Sequence, residues 1–252
     1  MDEERKTRRI RHETARRRTL TVAEKIHLSP SYLAIRFECS DFEDFNSASP
    51  DDHVKLFVPG GSATGGRPPM RDYTPRSFDK AANTFVIDFA LHDEPGPATA
   101  WAIAAKPGDT IEIGGPRGSV VISDAFRSYW LIGDESALPA IQRRLEEWPT
   151  KHIHVLAAVS GPDEEIALQL GNDHHVEWVH RPASAAADAS ALLNALKSRF
   201  QPDEDTFVWI AAEAGVTRDL REAVLAAGQS LSHIKASGYW TLGHADTTAK
   251  FD

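Results

Sequence analysis

Between residue 18 and about residue 122, apolar and polar positions alternate in short runs broken by turn residues, a period of two that predicts strands. Six such runs lie at 19–26, 32–38, 53–58, 84–90, 110–114 and 119–122. Strands of this length and spacing predict a small antiparallel barrel. The Gly- and Pro-rich stretch 59–70 predicts a loop. Only 95–106 departs from the rhythm: turn residues lead into Ala98-Thr99-Ala100-Trp101-Ala102, which predicts a helix with Pro97 accommodated in its first turn.

From about residue 129 strands and helices alternate. Apolar runs at 129–132, 152–159, 175–180 and 206–212 predict strands, and amphipathic stretches at 137–148, 190–199 and 216–227 predict helices. This order implies a parallel sheet with helices on both faces. The fold class expected is therefore a β-barrel plus α/β, with the boundary near 123–128. The domains expected are a basic tail (1–17), a six-stranded antiparallel barrel (18–125) and an α/β nucleotide-binding domain with an aromatic C-terminal tail (126–252). The Ala/Ser stretch 182–191 reads as a linker-like loop.

Composition narrows the class. The 252 residues are 41% hydrophobic and 26% charged, as in soluble globular proteins. No apolar run reaches the ~20 residues of a membrane helix, and the N-terminus has no apolar secretory segment; the expected location is the cytoplasm, without membrane insertion. Cys39 is the single cysteine, which excludes an intramolecular disulfide and a four-cysteine iron–sulfur cluster. Any electron transfer then needs an organic cofactor. Residues 1–18 hold eight basic side chains against four acids, while the chain carries −9 in total. The acidic remainder argues against nucleic acid as partner, and the basic arm reads as a solvated, partly disordered tail.

The most informative string is Arg71-Asp72-Tyr73-Thr74-Pro75-Arg76. Arg71 and Tyr73 share one strand face, and Thr74 stands at the strand end. A guanidinium for phosphate, a phenol ring for stacking and a hydroxyl suit a flavin nucleotide; an amphipathic strand entering a Pro turn has the same pattern. Downstream, a strand ends in Gly133-Asp134-Glu135-Ser136 and opens a helix, which makes an anion site of the nucleotide-binding kind with Gly133 and Ser136 as contacts. The full G-x-G-x-x-G pattern is absent, and Asp134 or Ser136 also suits a plain helix cap. His152/His154 and His174/His175 carry no acid or cysteine at ligand spacing, so no metal site is expected there.

The strings DDHVKLFVP, RDYTPR, DFALHDEPGPATAWA, GPRGS, GDESALPAI and WIAAEAGVTRDLR, with GYW near the C-terminus, occur in order between Arg18 and Trp240. Together they resemble the siderophore-interacting protein family, flavin-dependent ferric-siderophore reductases of the ferredoxin reductase superfamily. The resemblance implies FAD on Arg71, Tyr73, Thr74, His92, Ala98 and Thr99, with Trp240 either a lid on the flavin or a last core aromatic. It implies a reductant on Gly133, Asp134, Ser136, Ala212 and Glu213, near Gly238-Tyr239-Trp240. Ala212 replaces a common family glycine, so its methyl is expected to restrict approach slightly, and Thr241 replaces a common arginine. Anionic ferric siderophore is expected on Lys55, Arg117 and Lys235.

The activity implied is electron transfer from NADH or NADPH through FAD to Fe(III)-siderophore, with release of Fe(II). Exchange with ferredoxin or another protein acceptor is an alternative enzymatic reading, and siderophore binding without turnover is a non-enzymatic one. No side chain is expected to act as general acid or base. The run Ser160-Gly161-Pro162-Asp163-Glu164-Glu165 holds three acids, which favours a ribose 2′-hydroxyl and leans toward NADH, with Arg181 able to reverse the lean.

Overall fold

The computed structural model describes residues 7–59, 69–92, 94–244 and 249–251. The chain divides into two compact units, Arg8–Ile122 and a second that begins at Ser123.

The first unit holds β1 (Arg8–Arg11), β2 (Arg17–Ser29), β3 (Tyr32–Glu38), β4 (Val54–Phe57), β5 (Met70–Tyr73), β6 (Ser77–Asp79), β7 (Thr84–Ala90), α1 (Pro97–Ala104), β8 (Thr110–Gly114) and β9 (Gly118–Val121). Seven strands form one antiparallel sheet in the order β5-β4-β8-β2-β3-β7-β6. Its two edge strands, β5 and β6, are joined by only Thr74-Pro75-Arg76. Three residues span little distance, so the sheet curls until its edges meet. The seam of the barrel is thus the RDYTPR string itself. Inside pack Leu20, Ile35, Phe37, Leu56, Phe85, Ile87 and Phe89, all essentially inaccessible to solvent.

The six runs expected as strands are present, as is the strand read for Arg71 and Tyr73, and β1 and β6 join them. The segment expected to be a solvated tail is in part ordered: β1 pairs antiparallel with β9. A buried polar cluster secures it. His12 Nε2 lies 2.7 Å from Ser119 Oγ, Ser119 Oγ donates to Asp52 Oδ2 at 2.6 Å, and Asn46 Nδ2 lies 3.2 Å from His12 Nδ1. Ser47 Oγ and the Ser49 amide also donate to Asp52 Oδ2, so the buried carboxylate is well supplied with donors. Most of the expected loop 59–70 lies outside the described residues, and its last residue, Met70, begins β5.

The second unit holds β10 (Ser128–Gly133), α2 (Leu138–Glu147), β11 (His152–Val159), β12 (His174–His180), α3 (Ser190–Arg199), β13 (Thr206–Glu213), α4 (Ala214–Ala226), β14 (Ile234–Trp240) and β15 (Ala249–Phe251). The sheet order is β12-β11-β10-β13-β14-β15, parallel except for β15. Every residue of β13 is buried, as a central parallel strand covered on both faces requires. The expected linker 182–191 contains a 3-10 turn and the start of α3. Among the described residues, no helix is long and apolar enough to cross a membrane.

The chain leaves β10 toward β11 and β12, then returns to β13 and β14 on the other side. The order therefore reverses between β10 and β13. Ligands in open α/β sheets bind outside the carboxyl ends of strands at such a reversal. Here those ends are Gly133, paired in register with Ala211, and the last residues of β13, Ala212 and Glu213.

Candidate functional site

In the barrel unit, β5 pairs with β4 so that Tyr73 faces Val54, Asp72 faces Lys55 and Arg71 faces Leu56. The Tyr73 ring packs 4.6 Å from Phe89, which fixes it against the barrel core. Burial pushes its phenol up to about 12, against the opposing effects of a hydrogen bond with the Thr99 side chain and the nearby Arg71 charge. Three of the expected flavin contacts, Arg71, Tyr73 and Thr99, are thereby brought together. Thr74 is buried at the strand end.

Ala98 and Thr99 are buried in the first turn of α1, and His92 is exposed on the segment before it. That helix follows Gly96, has no side-chain cap and has no acidic residue in its first turn. Its first amides have no intrahelical partner, and the helix dipole favours an anion there. A dinucleotide fits this set: a ring against Tyr73, phosphates against Arg71 and the α1 amides.

Lys55 and Arg117 flank the end of β8. Lys55 pairs with Gly114 in register, and Arg117 follows after the Gly115-Pro116 turn. Lys55 has a partner that sequence did not indicate, Asp72, at 2.8 Å across the β4–β5 ladder. Arg117 is exposed. Lys235 lies on β14 of the other unit, opposite Trp209 in register.

At the reversal of the α/β sheet, Asp134 is the hub. Its Oδ1 accepts from the Ser136 amide at 2.9 Å and from the Ser136 hydroxyl. Its Oδ2 accepts from the Glu213 amide at 3.0 Å and from Trp240 Nε1 at 2.9 Å. Glu213 caps α4 by accepting from the Gly215 and Val216 amides, and its other oxygen accepts from the Leu242 amide at 3.2 Å. Both carboxylates are buried and hold three strand ends together. They therefore shape this edge instead of presenting oxygens to a ligand.

Trp240 is both half-buried and tethered. Gly133 is required by packing, because a Cβ there would lie 2.4 Å from the Ala137 methyl and 2.5 Å from the Ala211 carbonyl oxygen. Ala212 is fully buried in the apolar core of the unit. Its methyl faces that core, which removes the expected restriction on approach. A nucleotide at this edge would meet mainly backbone and the Ser136 side chain.

Beside the edge, Arg181 is buried and paired with Glu135 at 2.6 Å. Burial pushes the Glu135 carboxyl up, and the Arg181 charge opposes it. Arg181 is thus committed to Glu135. Asp163 is exposed on the 3-10 turn after β11, and Glu165 lies 2.8 Å from His180. The Glu135–Arg181 pair was invisible in sequence, since the two residues are 46 apart and on different connections.

At the opposite edge of the sheet, Asp173 stands beside His152 and His175. The expectation that no acid accompanies these histidines is therefore corrected. The run Asn172-Asp173-His174-His175 places the acid in the turn just before β12, and parallel pairing brings it to β11.

Comparisons with known proteins support the family and the fold. The siderophore-interacting protein family matches residues 126–243, and the siderophore-interacting FAD-binding domain matches residues 61–120. The NADPH-dependent ferric-chelate reductase of Escherichia coli K12 is 32% identical over 251 residues, covering 92% of this chain and 95% of that protein. A siderophore utilization protein from T. fusca superposes with a TM-score of 0.87 at 29% identity, covering 95% of this chain and 98% of that one. Phthalate dioxygenase reductase has the same fold, with a TM-score of 0.65 at 13% identity over 91% of this chain and 69% of that one. The chain belongs to the siderophore-interacting protein family.

Proposed function

We propose that the protein is an FAD-dependent ferric-siderophore reductase that draws electrons from NAD(P)H. The observation that carries this reading is the grouping of Arg71, Tyr73 and Thr99 in the barrel unit that contains the uncapped N-terminus of α1, largely within the stretch matched by the FAD-binding family. FAD, when bound, converts the two electrons of a nicotinamide hydride into single electrons for Fe(III), so each hydride serves two ferric ions.

The chain's own residues bind and orient. Arg71 and the α1 amides hold phosphate, Tyr73 fixes the ring plane against Phe89, and Thr99 locks the phenol. Ser136 and the backbone at Gly133 form the nicotinamide nucleotide's anchor, on an edge kept rigid by Asp134 and Glu213. Arg117 and Lys55 on the barrel unit attract the anionic chelate through charge, and Lys235 adds positive charge on the α/β unit. Fe(II) leaves because siderophores bind it far more weakly than Fe(III).

Coenzyme preference is the finer part of the proposal. Arg181 is occupied by Glu135 and the β11 turn is acidic, which favours a 2′-hydroxyl and hence NADH, although the Escherichia coli relative is named for NADPH. The test is anaerobic stopped-flow bleaching of the purified yellow protein by NADH and NADPH at equal concentration, followed by addition of a ferric catecholate. Return of the oxidised spectrum with Fe(II) trapped by a chromogenic chelator supports the reading. Faster bleaching by NADPH overturns the coenzyme preference. Bleaching by reduced ferredoxin alone, or no flavin in the protein, overturns the larger proposal.

A further inference from the structure

Three imidazoles and one carboxylate converge at the amino ends of β11 and β12. His152 and His154 share a face of β11, since they are two residues apart, and His175 stands opposite His154 in the parallel register. Asp173 reaches the same place from the turn before β12. His152 Nδ1 lies 3.1 Å from Asp173 Oδ1, and His175 Nε2 lies 3.9 Å from the same oxygen. One ligand atom from each of these three residues lies within 4.8 Å of the others. A tetrahedral ion with bonds of about 2.0–2.1 Å needs ligand atoms roughly 3.3 Å apart. The exposed side chain of His175 can close the wider gap by rotation.

We propose that His152, His175 and Asp173 form a binding site for a divalent first-row transition-metal ion, with His154 as its positioning residue. Two imidazoles and one carboxylate leave coordination positions open and select borderline ions over Mg2+ or Ca2+, which prefer all-oxygen sets. His152 binds through Nδ1. Its Nε2–H then donates to His154 Nε2, 2.8 Å away, which fixes the tautomer and ring plane as a ligand histidine requires. His154 is itself held, stacked 4.7 Å from Trp130 and packed beside His175. The site lies at strand starts, whereas the nucleotide edge lies at strand ends. His152 pairs with Ser128 and Ala157 with Gly133, so the two levels are five residues apart, roughly 16 Å along the strand. The site thus stands apart from the reductant edge, and a bound ion would clip β11 to β12.

The test is titration of untagged, chelator-stripped full-length protein with Co2+, followed by d–d absorption and by equilibrium dialysis. One Co2+ per chain, displaced by Zn2+ and accompanied by a rise in Tm, is expected. His175→Ala and Asp173→Asn should each weaken binding roughly a hundredfold, and His154→Phe roughly tenfold with a shifted absorption band. His27→Ala, a change to an exposed histidine in the other unit, should leave binding unchanged. Circular dichroism of each variant separates lost binding from lost folding. Absence of stoichiometric Co2+ in the wild-type protein, or equal affinity in a folded His152→Ala, His175→Ala double variant, overturns the site.

Discussion

The two candidate binding regions use polar side chains in opposite ways. In the barrel, the N-terminus of α1 has no side-chain cap, and Tyr73 and Thr99 are joined beside Arg71. In the α/β unit, the polar side chains at the equivalent functional edge are spent on one another: Asp134 binds Ser136, Glu213 and Trp240, and Glu213 binds three amides. On the reading proposed above, a resident flavin would meet the uncapped start of α1, whereas a coenzyme that arrives and leaves on each turnover would meet a preformed backbone edge. The same residue type, a carboxylate or aromatic at a strand end, therefore cannot be given one meaning in both units.

The sharpest way to break this comparison is Asp134→Ala. It leaves the Glu213 amide and the Trp240 indole N–H without their acceptor, each a loss of roughly 1–3 kcal/mol. Urea unfolding should show a stability loss of about 3 kcal/mol, while Ser136→Ala, which keeps the carboxylate, should cost far less. A loss under about 1 kcal/mol in Asp134→Ala would show that the carboxylate is no latch. On the barrel side the expected result has the opposite form. Arg71→Ala should cost roughly 1.5–3 kcal/mol of flavin binding, a charge-assisted phosphate contact, with the unfolding midpoint of the flavin-free protein nearly unchanged. Full yellow occupancy of the variant at limiting FAD would sink the assignment.

Local periodicity carried much of this architecture. β3 and β7 alternate buried with less buried residues over part of their length, and β11 and α3 occupy the bounds their patterns predict. Other strands were not legible. β6 has only three residues, too few for a period to register, and β14 is interrupted by Gly238, which close packing against Ala214 demands. β1 is an Arg-rich run that becomes a strand only because β9 pairs with it, a tertiary effect on a segment whose composition suggests solvent. At the site, sequence named Asp134, Glu213 and Trp240 as neighbours of a ligand. Their mutual hydrogen bonds span 79 and 106 residues, and nothing local encodes that separation.

Charge at the proposed chelate site should give a smaller and more selective effect. Lys55 is partly neutralised by Asp72, whereas Arg117 is exposed, so the two are not equivalent. Arg117→Ala should raise the KM for an anionic ferric catecholate several-fold, Lys55→Ala less, consistent with roughly 0.2–1 kcal/mol for exposed charges. The difference should shrink at high salt. Bleaching of the flavin by nicotinamide should be the same in both variants. An equal change in KM for a neutral chelate would show that charge is not the cause.

The finest distinction concerns Tyr73, whose ring and hydroxyl are separable. Tyr73→Phe keeps the contact with Phe89 and removes only the hydrogen bond with Thr99, so flavin affinity should fall by less than about tenfold, within the range of one neutral hydrogen bond. The phenol provides an internal check through pH. Its value rises from 10.0 to about 12 because burial disfavours the phenolate. A raised value in the folded state means that folding retains a proton the unfolded chain releases, so the associated stability is complete below pH 10 and is lost as pH rises toward 12. The stability of the wild type relative to Tyr73→Phe should therefore be constant from pH 7 to 9 and decline between pH 10 and 12, as read from urea midpoints of the flavin-free proteins. A difference that stays flat through pH 11.5 would mean that the ring stands in water, and with it would go the idea that the barrel core sets the plane of the flavin.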